Sequence, residues 1–385
     1  MAEATASNTF DFLASVKALV EQEGSDLHIK VGRPPMIRVR GDLVQLDTPP
    51  VKPDQLKALA EKIMTPRQVK EFAEMKEADF AIGVPGVGRF RTNVFQQRGT
   101  LCFVLRAIPY QVHTTEELHL PPVLNDLALK PRGLILVTGI TGSGKSTALA
   151  SMINHINQNR RVNIITIEDP IEFLHKDINS TISQREVGTD TLSFEAALRH
   201  VLRQDPDVIL IGEIRDKTTL ETAMKAADTG HLVFSTLHTT DATQTINRVI
   251  SFFPPFEHDA VRNLLSTSLN AVVSLRLVPT KDGKGRVPAC EVLINTAAVK
   301  ANIRDSEASL NIPDLIKEGS VQYGMQAFDQ SLMELYQNDV ISYEDALFYS
   351  TTPSEFALRI SGIGGTSDTS FSSQMGGGGG TMLPS

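Results

Sequence analysis

The sequence predicts an α/β protein of two domains, the second of which is built on a parallel sheet covered by helices. The chain has 385 residues, of which 41% are hydrophobic, and this is more than one core usually fills. From residue 133 onward, continuous apolar runs alternate with segments of helical periodicity. Strands that are apolar along their whole length and separated by helices are typical of parallel sheets with both faces buried.

Residues 1–112 are expected to form an α+β domain. An amphipathic helix containing Phe12, Val16 and Leu19 precedes short strands in DLHIKVG and PMIRVRGDLVQL, and a second helix is expected near 53–64. The stretch GVGRFRTNVFQQRGTLCFVLRAIP has two alternating runs around a polar turn. It predicts a hairpin with arginines on one face.

Residues 113–130, which include Pro121 and Pro122, are expected to be a linker, and 131–361 the second domain. Its predicted strands are GLILVTG, VNIITIED, DVILIGE and HLVFSTLHT. We expect HDAVRNLLSTSLNAVVSLRL, from residue 258, to be helical and a hairpin to turn at 282–285. More helix should follow, and the Gly- and Ser-rich tail 362–385 should be disordered.

The composition excludes several classes of protein. The two cysteines, Cys102 and Cys290, provide neither a disulfide framework nor a CxxC pair. A formal net charge of −8 argues against nucleic acid as the main ligand. Because the chain has neither a long apolar run nor the start of a signal peptide, we expect a soluble cytoplasmic protein.

The stretch GITGSGKS matches the phosphate-loop pattern G-x-x-x-x-G-K-[ST], with an apolar strand before it and a helix after it. Its glycines let backbone N–H groups curl around phosphates at the positive end of a helix. The pattern predicts an ATP and Mg²⁺ site in which Lys145 reaches the β- and γ-phosphates and Ser146 binds the metal. The alternative is a Gly-rich turn that binds nothing. The predicted nucleotide-binding residues are Gly139, Ile140, Thr141, Gly142, Ser143, Gly144, Lys145, Ser146 and Thr147.

Two acidic segments follow predicted strands. Glu213 ends DVILIGE, where a P-loop enzyme usually has an aspartate beside Mg²⁺, so the longer side chain could act through a water on the metal. A solvated charge at a strand end is the alternative. In TIEDPIEF, a carboxylate of Glu168, Asp169 or Glu172 could be the general base. An N-cap by Asp169 is the alternative, and spacing does not decide which acid is the base.

His238 ends the run LVFSTLH, and this end of a parallel strand borders the ligand crevice of an open α/β sheet. A histidine there could hydrogen-bond the γ-phosphate and report its presence. It could equally be satisfied by neighbouring protein groups.

Taken in order, GITGSGKST, TIEDPIEF, DPDVILIGEIRD and TGHLVFSTLHT resemble the Walker A, Asp box, Walker B and His box of the secretion-ATPase superfamily. The chain most resembles the type IV pilus retraction ATPases of the PilT and PilU type. GSDLHIKVG, GRFRTNVFQQRG, SQREVGTDTLSF and GMQAFDQSLMELY extend the resemblance over roughly residues 10–360.

The resemblance implies a PAS-like N-terminal domain, a RecA-like ATPase domain and a homohexamer. It implies Glu172 as the general base, Glu213 as the acid on Mg²⁺ and His238 as the nucleotide sensor. It further implies that first-domain arginines approach the nucleotide, although a solvated hairpin face is the alternative. The candidates are Arg89, Arg91, Arg98 and Arg106.

The implied function is pilus retraction and twitching motility, driven by a cytoplasmic ring docked peripherally on an inner-membrane platform protein, with a paralogous PilT-type ATPase as a further partner. The assembly ATPases carry a four-cysteine zinc site that two cysteines cannot supply. The retraction signature AIRNLIRE corresponds only to AAVKANIRD (297–305), and EVLINT and ISYEDAL look more like PilU. An accessory nucleotide-binding subunit and an assembly or secretion ATPase are the alternative functions.

Overall fold

The computed structural model describes residues 10–305 and 311–361, which form two compact units. The first unit contains the described residues up to Val112, together with Asp169–Lys176 and Gln184–Ser193. The second contains His113–Glu168, Asp177–Ser183 and the described residues from Phe194 onward. The predicted tail, 362–385, lies outside the described residues.

The first unit is an antiparallel sheet with three helices. Its elements are α1 (Phe12–Glu21), β1 (Asp26–Lys30), β2 (Met36–Val39), β3 (Asp42–Gln45), α2 (Pro53–Ile63), α3 (Pro66–Met75), β4 (Glu77–Val84), β5 (Gly88–Gln97) and β6 (Thr100–Ile108). The strand order is β3-β2-β1-β6-β5-β4, and each neighbouring pair is antiparallel.

Local sequence signals explain where these elements begin and turn. Asp11 caps α1 by accepting the N–H of Ala14 at 3.1 Å, and Thr65 and Gln68 form a capping box at α3. The predicted hairpin is β5 and β6, which turn at Arg98 and Gly99, both with positive φ. Alternate residues of the sheet, such as Leu27, Phe103 and Val94, are fully buried in the core of this unit.

The second unit contains the remaining elements. They are α4 (Val123–Ala128), β7 (Gly133–Thr138), α5 (Lys145–Asn159), β8 (Asn163–Glu168), β9 (Thr181–Glu186), α6 (Phe194–Val201), β10 (Val208–Ile211), α7 (Lys217–Asp228), β11 (Leu232–Leu237), α8 (Ala242–Ser251), α9 (His258–Ser268), β12 (Leu269–Pro279), β13 (Arg286–Ile294), α10 (Ala297–Arg304), α11 (Ile312–Glu318), α12 (Ser320–Tyr323), α13 (Phe328–Gln337), α14 (Tyr343–Tyr349) and α15 (Pro353–Ile360). Strand β9 runs across the boundary between the two units.

The strand order of the second sheet is β13-β12-β7-β11-β10-β8-β9. The pairs β12/β7, β7/β11, β11/β10 and β10/β8 are parallel, and β13 returns antiparallel to β12. All residues of β7, β10 and β11 are buried, as expected for strands covered on both faces. The α/β fold class is therefore confirmed.

The prediction of a continuous helix from residue 258 to 277 is wrong. Helix α9 ends at Ser268, and the second half of the segment is strand β12, which pairs in parallel with β7. No glycine or proline separates the two parts, and an apolar run alone does not distinguish a buried helix from a buried strand. The hairpin at 282–285 is confirmed, because β12 and β13 pair from Ala271↔Ile294 to Pro279↔Arg286.

Among the described residues, no helix combines the length and the apolar character that a membrane-spanning segment requires.

The core of the second unit lies against the sheet, where Phe234 of β11 is fully buried among residues of β7, α5 and β12.

Replacing Phe234 by alanine should lower the free energy of unfolding by about 3–5 kcal/mol, since it removes a buried ring and leaves a cavity. The matched control is Phe256→Ala, because that ring is 86% exposed. Urea denaturation followed by circular dichroism measures both variants. An equal loss of stability in the two would contradict the assignment of Phe234 to the core.

Candidate functional site

The predicted phosphate loop connects β7 to α5. Gly139, Gly142 and Gly144 all have positive φ, at 141°, 77° and 95°, a region that residues with a Cβ rarely adopt. At Gly139 space is also limiting, because a Cβ there would lie 2.4 Å from Ser143 Oγ and 2.6 Å from the carbonyl oxygen of Leu275. The backbone of the loop therefore requires glycine at the residue where it leaves the strand.

Lys145 is the first residue of α5 and its side chain lies across the loop. It is 9% exposed, and Nζ donates to the carbonyl oxygens of Gly139 and Ile140, each at 2.9 Å. Ser143 Oγ is buried and has no hydrogen-bond partner within the described part of the chain. The loop thus holds a positive charge and a hydroxyl inside its curve, at the N-terminus of a helix, which suits an anion.

The other loop residues are more accessible. Ile140, Thr141 and Gly142 are exposed, while Ser146 and Thr147 in the first turn of α5 are partly buried. The hydroxyl of Ser146 therefore lies one residue after the buried ammonium of Lys145, in the position that the phosphate-loop pattern gives to a metal-binding hydroxyl.

Glu213 and His238 are brought together by strand pairing. β10 and β11 are parallel with Ile211 opposite Ser235, so the residues that follow the two strands lie at one edge of the sheet. His238 Nε2 is 3.2 Å from Glu213 Oε1. The sequence predicted both residues as site candidates but did not predict their contact.

The same edge contains the start of the phosphate loop. β11 pairs with β7 so that Leu237 is opposite Thr138. His238 follows the end of β11, and Gly139 follows the end of β7. The phosphate loop, Glu213 and His238 therefore belong to three adjacent strand ends, in the order β7, β11, β10. This arrangement is the crevice in which open α/β sheets bind ligands.

Arg215 is a neighbour of Glu213 that sequence reasoning missed. Its Nε donates to Glu213 Oε2 at 2.9 Å, and Nη2 is 2.8 Å from the same oxygen. Glu213 is thus held between a guanidinium and an imidazole, and its side chain is 22% exposed. The adjacency in GEIRD is the only sequence signal that could have suggested this contact.

Ser274 is a second contact that sequence reasoning missed. Thr138 Oγ1 donates to Ser274 Oγ at 2.9 Å, and both side chains are buried. Ser274 lies on β12, the strand that the sequence had predicted as helix, so nothing in the pattern placed it beside the end of β7. The hydroxyl pair holds the last residue before the phosphate loop to the neighbouring strand.

The Asp box, TIEDPIEF, begins within β8 and continues past the end of this strand. Glu168 Oε1 accepts the hydroxyl of Thr166 at 2.7 Å, and a cis peptide joins Asp169 to Pro170. Glu172 is exposed and belongs to the segment Asp169–Lys176, which groups with the first unit. The alternative of an N-cap by Asp169 is wrong, because no helix begins there and the next regular element is strand β9.

The four candidate arginines differ in their contacts within the first unit. Arg89 Nη2 is 3.2 Å from Glu186 Oε2, and Arg106 Nε is 2.8 Å from Asp26 Oδ1. Although burial raises the pKa of Asp26, hydrogen bonds from Ser25 and Arg106 together with charge lower it below its usual value. Asp26 is therefore a stable counterion for Arg106.

The other two arginines are exposed. Arg91 is directly opposite Arg106 in the β5/β6 pair, which places two cations side by side on one face of the sheet. Arg98 lies in the hairpin turn with φ of 49°. The predicted arginine face therefore contains Arg89, Arg91 and Arg106, with Arg98 at its end.

Replacing Gly139 by alanine should weaken ADP binding by about 10-fold or more, because positive φ with a Cβ costs about 1–3 kcal/mol and the added carbon collides with Ser143 and Leu275. Titration with a fluorescent ADP analogue measures this loss. The control is Gly83→Ala, where an added Cβ meets nothing within 4 Å. Wild-type ADP affinity in Gly139→Ala would contradict the proposed loop geometry.

Comparison with known proteins identifies the family. A family model described as type II/IV secretion system protein matches residues 10–335. The chain is 44% identical over 358 residues to the type IV pilus ATPase PilU of Pseudomonas aeruginosa, covering 93% of each protein. It is 47% identical over 336 residues to the type IV pilus retraction ATPase PilT of the same organism, covering 87% of this chain and 97% of that protein.

A solved structure agrees with these relatives. The crystal structure of the pilus retraction motor PilT with bound ADP has a TM-score of 0.81 at 44% identity, and the match covers 90% of this chain and 98% of that one. The resemblance predicted from the order of the motifs is thereby confirmed, and the chain belongs to the type II/IV secretion system protein family.

Proposed function

We propose that this chain is an ATP-hydrolysing motor that drives retraction of type IV pili. The observation that carries the proposal is the arrangement of a phosphate loop, an acidic residue and a histidine on three adjacent parallel strand ends. The match to a retraction motor with bound ADP supports nucleotide as the ligand, and the names of the relatives support pilus retraction.

The loop residues 139–147 bind the triphosphate through backbone N–H groups and the positive end of α5. Lys145, which donates to loop carbonyls in this structure, turns toward the β- and γ-phosphate oxygens. Phosphoryl transfer requires mainly positioning and charge stabilisation, so a buried ammonium is well suited to it.

Ser146 and Glu213 are the residues that would hold Mg²⁺. One hydroxyl and one carboxylate suit this ion, which binds few protein oxygens and retains waters and phosphate oxygens. The described residues contain no cluster of three or more His, Cys, Asp or Glu able to hold a metal, and such a cluster is not needed for a metal bound with its substrate. When bound, Mg²⁺ neutralises charge on the phosphates.

His238 acts as the sensor of the γ-phosphate. In this structure its Nε2 lies beside Glu213 Oε1 at 3.2 Å, so a triphosphate competes with Glu213 for the imidazole. The contact made with the γ-phosphate disappears on its release, which gives the triphosphate and diphosphate states different energies. Arg91 and Arg98, exposed on the first unit, are candidates for a similar role, and Arg89 and Arg106 would first have to leave their carboxylate partners.

The motor acts as a homohexamer on the cytoplasmic side of the inner membrane, where it docks on a platform protein at the pilus base. Differences in phosphate contacts between nucleotide states rotate one domain against the other. Staggered around a ring, these rotations turn the platform and return pilin to the membrane. A paralogous PilT-type ATPase is a further partner, and nucleic acid is not.

A second candidate is an accessory subunit that tunes a PilT-type motor. The observation behind it is the match to PilU, which extends over 358 residues at 44% identity, whereas the match to PilT extends over 336 residues at 47% identity. ATPase assays of the purified chain with and without a PilT-type partner separate the two candidates. ATP turnover by the chain alone supports a motor. An accessory role is supported if the chain alone does not hydrolyse ATP but changes the turnover of the PilT-type partner.

Glu172→Gln should reduce hydrolysis by about 10² to 10⁴-fold and leave ATP binding intact, because an amide keeps the shape but cannot accept the proton of the attacking water. Phosphate release and binding of a fluorescent ATP analogue measure the two effects. Glu168→Gln and Asp169→Asn are matched controls from the same TIEDPIEF segment. A larger loss in either control, or loss of ATP binding in Glu172→Gln, would contradict the assignment of the base.

Cells that lack this protein should carry more pili than wild type and should have lost surface motility, since pili that cannot retract accumulate. Electron microscopy and a twitching assay measure both properties. The wild-type gene should restore motility and a Glu172→Gln gene should not. Cells without pili would indicate an assembly ATPase.

A further inference from the structure

Glu291 on β13 is a partly buried carboxylate that the proposed reaction does not use. It is the first residue of the EVLINT stretch and lies directly opposite Ser274 of β12. Removal from water raises the pKa of Glu291 to about 7, so that both protonation states are present near neutral pH. An ionisable group of this kind inside the protein needs specific partners.

The hydrogen-bond partner of Glu291 is the helix that follows the histidine. Glu291 Oε1 accepts the backbone N–H of Ala242, the first residue of α8, at 2.7 Å. The preceding residue, Asp241, caps the same helix by accepting the N–H of Gln244 at 2.8 Å. The first turn of α8 is thus held by two carboxylates, which the positive end of a helix favours. Only three residues separate His238 from Ala242, whose N–H Glu291 accepts, so we call residues 238–241 the histidine loop.

Three charged groups act electrostatically on Glu291. Proximity of Asp241 and Asp329 raises its pKa, while the N–H of Ala242 and the charge of Arg276 lower it. Arg276 is diagonal to Glu291 in the β12/β13 ladder, since its direct partner is Ala289. One arginine therefore faces three carboxylates.

Arg276 and Asp329 connect this charged group to the C-terminal helices. Arg276 Nη1 donates to the carbonyl oxygen of Tyr349 at 2.7 Å, and the guanidinium lies 3.7 Å from the ring centroid of Phe328. Asp329, in the GMQAFDQSLMELY stretch, accepts the N–H groups of Thr351 at 2.7 Å and Thr352 at 3.2 Å. The links fix the turn between α14 and α15.

Ser274, the cross-strand partner of Glu291, contacts the end of β7. Ser274 accepts the hydroxyl of Thr138, the residue that precedes the phosphate loop. The β12/β13 pair therefore contacts the end of β7 through Ser274 and the start of α8 through Glu291. No other residue of β13 hydrogen-bonds to α8 among the contacts of the described chain.

We infer that Glu291 is a positioning residue that holds the histidine loop against Glu213 and ties it, through Arg276 and Asp329, to helices α13–α15. Without its carboxylate, the N–H of Ala242 loses its acceptor and Arg276 loses a facing charge. The start of α8 then shifts, and His238 moves away from Glu213. The inference rests on the proposed role of His238 in the reaction.

The test is ATP turnover by the full-length chain. Glu291→Ala should lower kcat on the order of 10-fold to 100-fold, as expected when a catalytic group is misplaced, with little change in KM. Glu291→Gln should retain most of the activity, because its amide oxygen can still accept the N–H of Ala242. Glu334→Ala, which removes an exposed glutamate of α13, is the matched control and should have wild-type kcat.

A double mutant identifies the residue through which Glu291 acts. In a His238→Ala background, Glu291→Ala should lower kcat almost no further, because the histidine loop then has no imidazole to position. The inference is overturned if Glu291→Ala lowers kcat by the same factor in the His238→Ala background as in the wild type. It is also overturned if the single variant Glu291→Ala has wild-type kcat. Loss of activity in Glu291→Gln equal to that of Glu291→Ala also overturns it.

Hydrogen–deuterium exchange separates this inference from the proposed function. If His238→Ala alone has wild-type turnover, the sensor role fails, and the exchange of residues 238–245 still reports on Glu291. Faster exchange of that segment in Glu291→Ala but not in Glu334→Ala supports the positioning role. Unchanged exchange overturns it.

Discussion

Parallel pairing of three buried strands is the constraint on which the site depends. β7, β11 and β10 are in register, with Thr138 opposite Leu237 and Ser235 opposite Ile211. A shift of one residue in either pair would move every side chain of the strand to the other face. Because all three strands are packed on both faces, such a shift would place every buried side chain in a space shaped for a different neighbour, and close-packed interiors do not tolerate this. The phosphate loop, Glu213 and His238 are therefore brought together by the hydrophobic core.

Strand β12 and the edge strand β13 add a second layer of support to this site. They contact the end of β7 through Ser274 and the first turn of α8 through Glu291, and they are linked to the C-terminal helices through Arg276. A motor must change the position of whole helices when a phosphate is released. These contacts link the histidine loop, where we propose that the γ-phosphate is sensed, to helices α13–α15.

The sequence was sufficient for those parts of the fold with strong local signals. Apolar runs in GLILVTG, DVILIGE and HLVFSTLHT predicted the central strands, and the glycine spacing predicted the loop that Gly139 begins. Strand β12 was missed because an apolar helix passes into an apolar strand at Ser268 without a breaking residue. Contacts such as Glu213 with His238 could not be predicted, since they depend on strand register. Glu291 was missed for a further reason, as its partner is a backbone N–H, which no side-chain pattern reveals.

The claim that ATP is cleaved at this phosphate loop is tested most directly by steady-state phosphate release from the purified full-length chain and its Lys145→Ala variant. The account predicts continuous release by the wild type and its loss in the variant, because the buried ammonium is the one fixed cation inside the described loop. Wild-type protein that binds ATP without splitting it, alone and beside a PilT-type partner, would contradict the account, as would turnover that survives in Lys145→Ala.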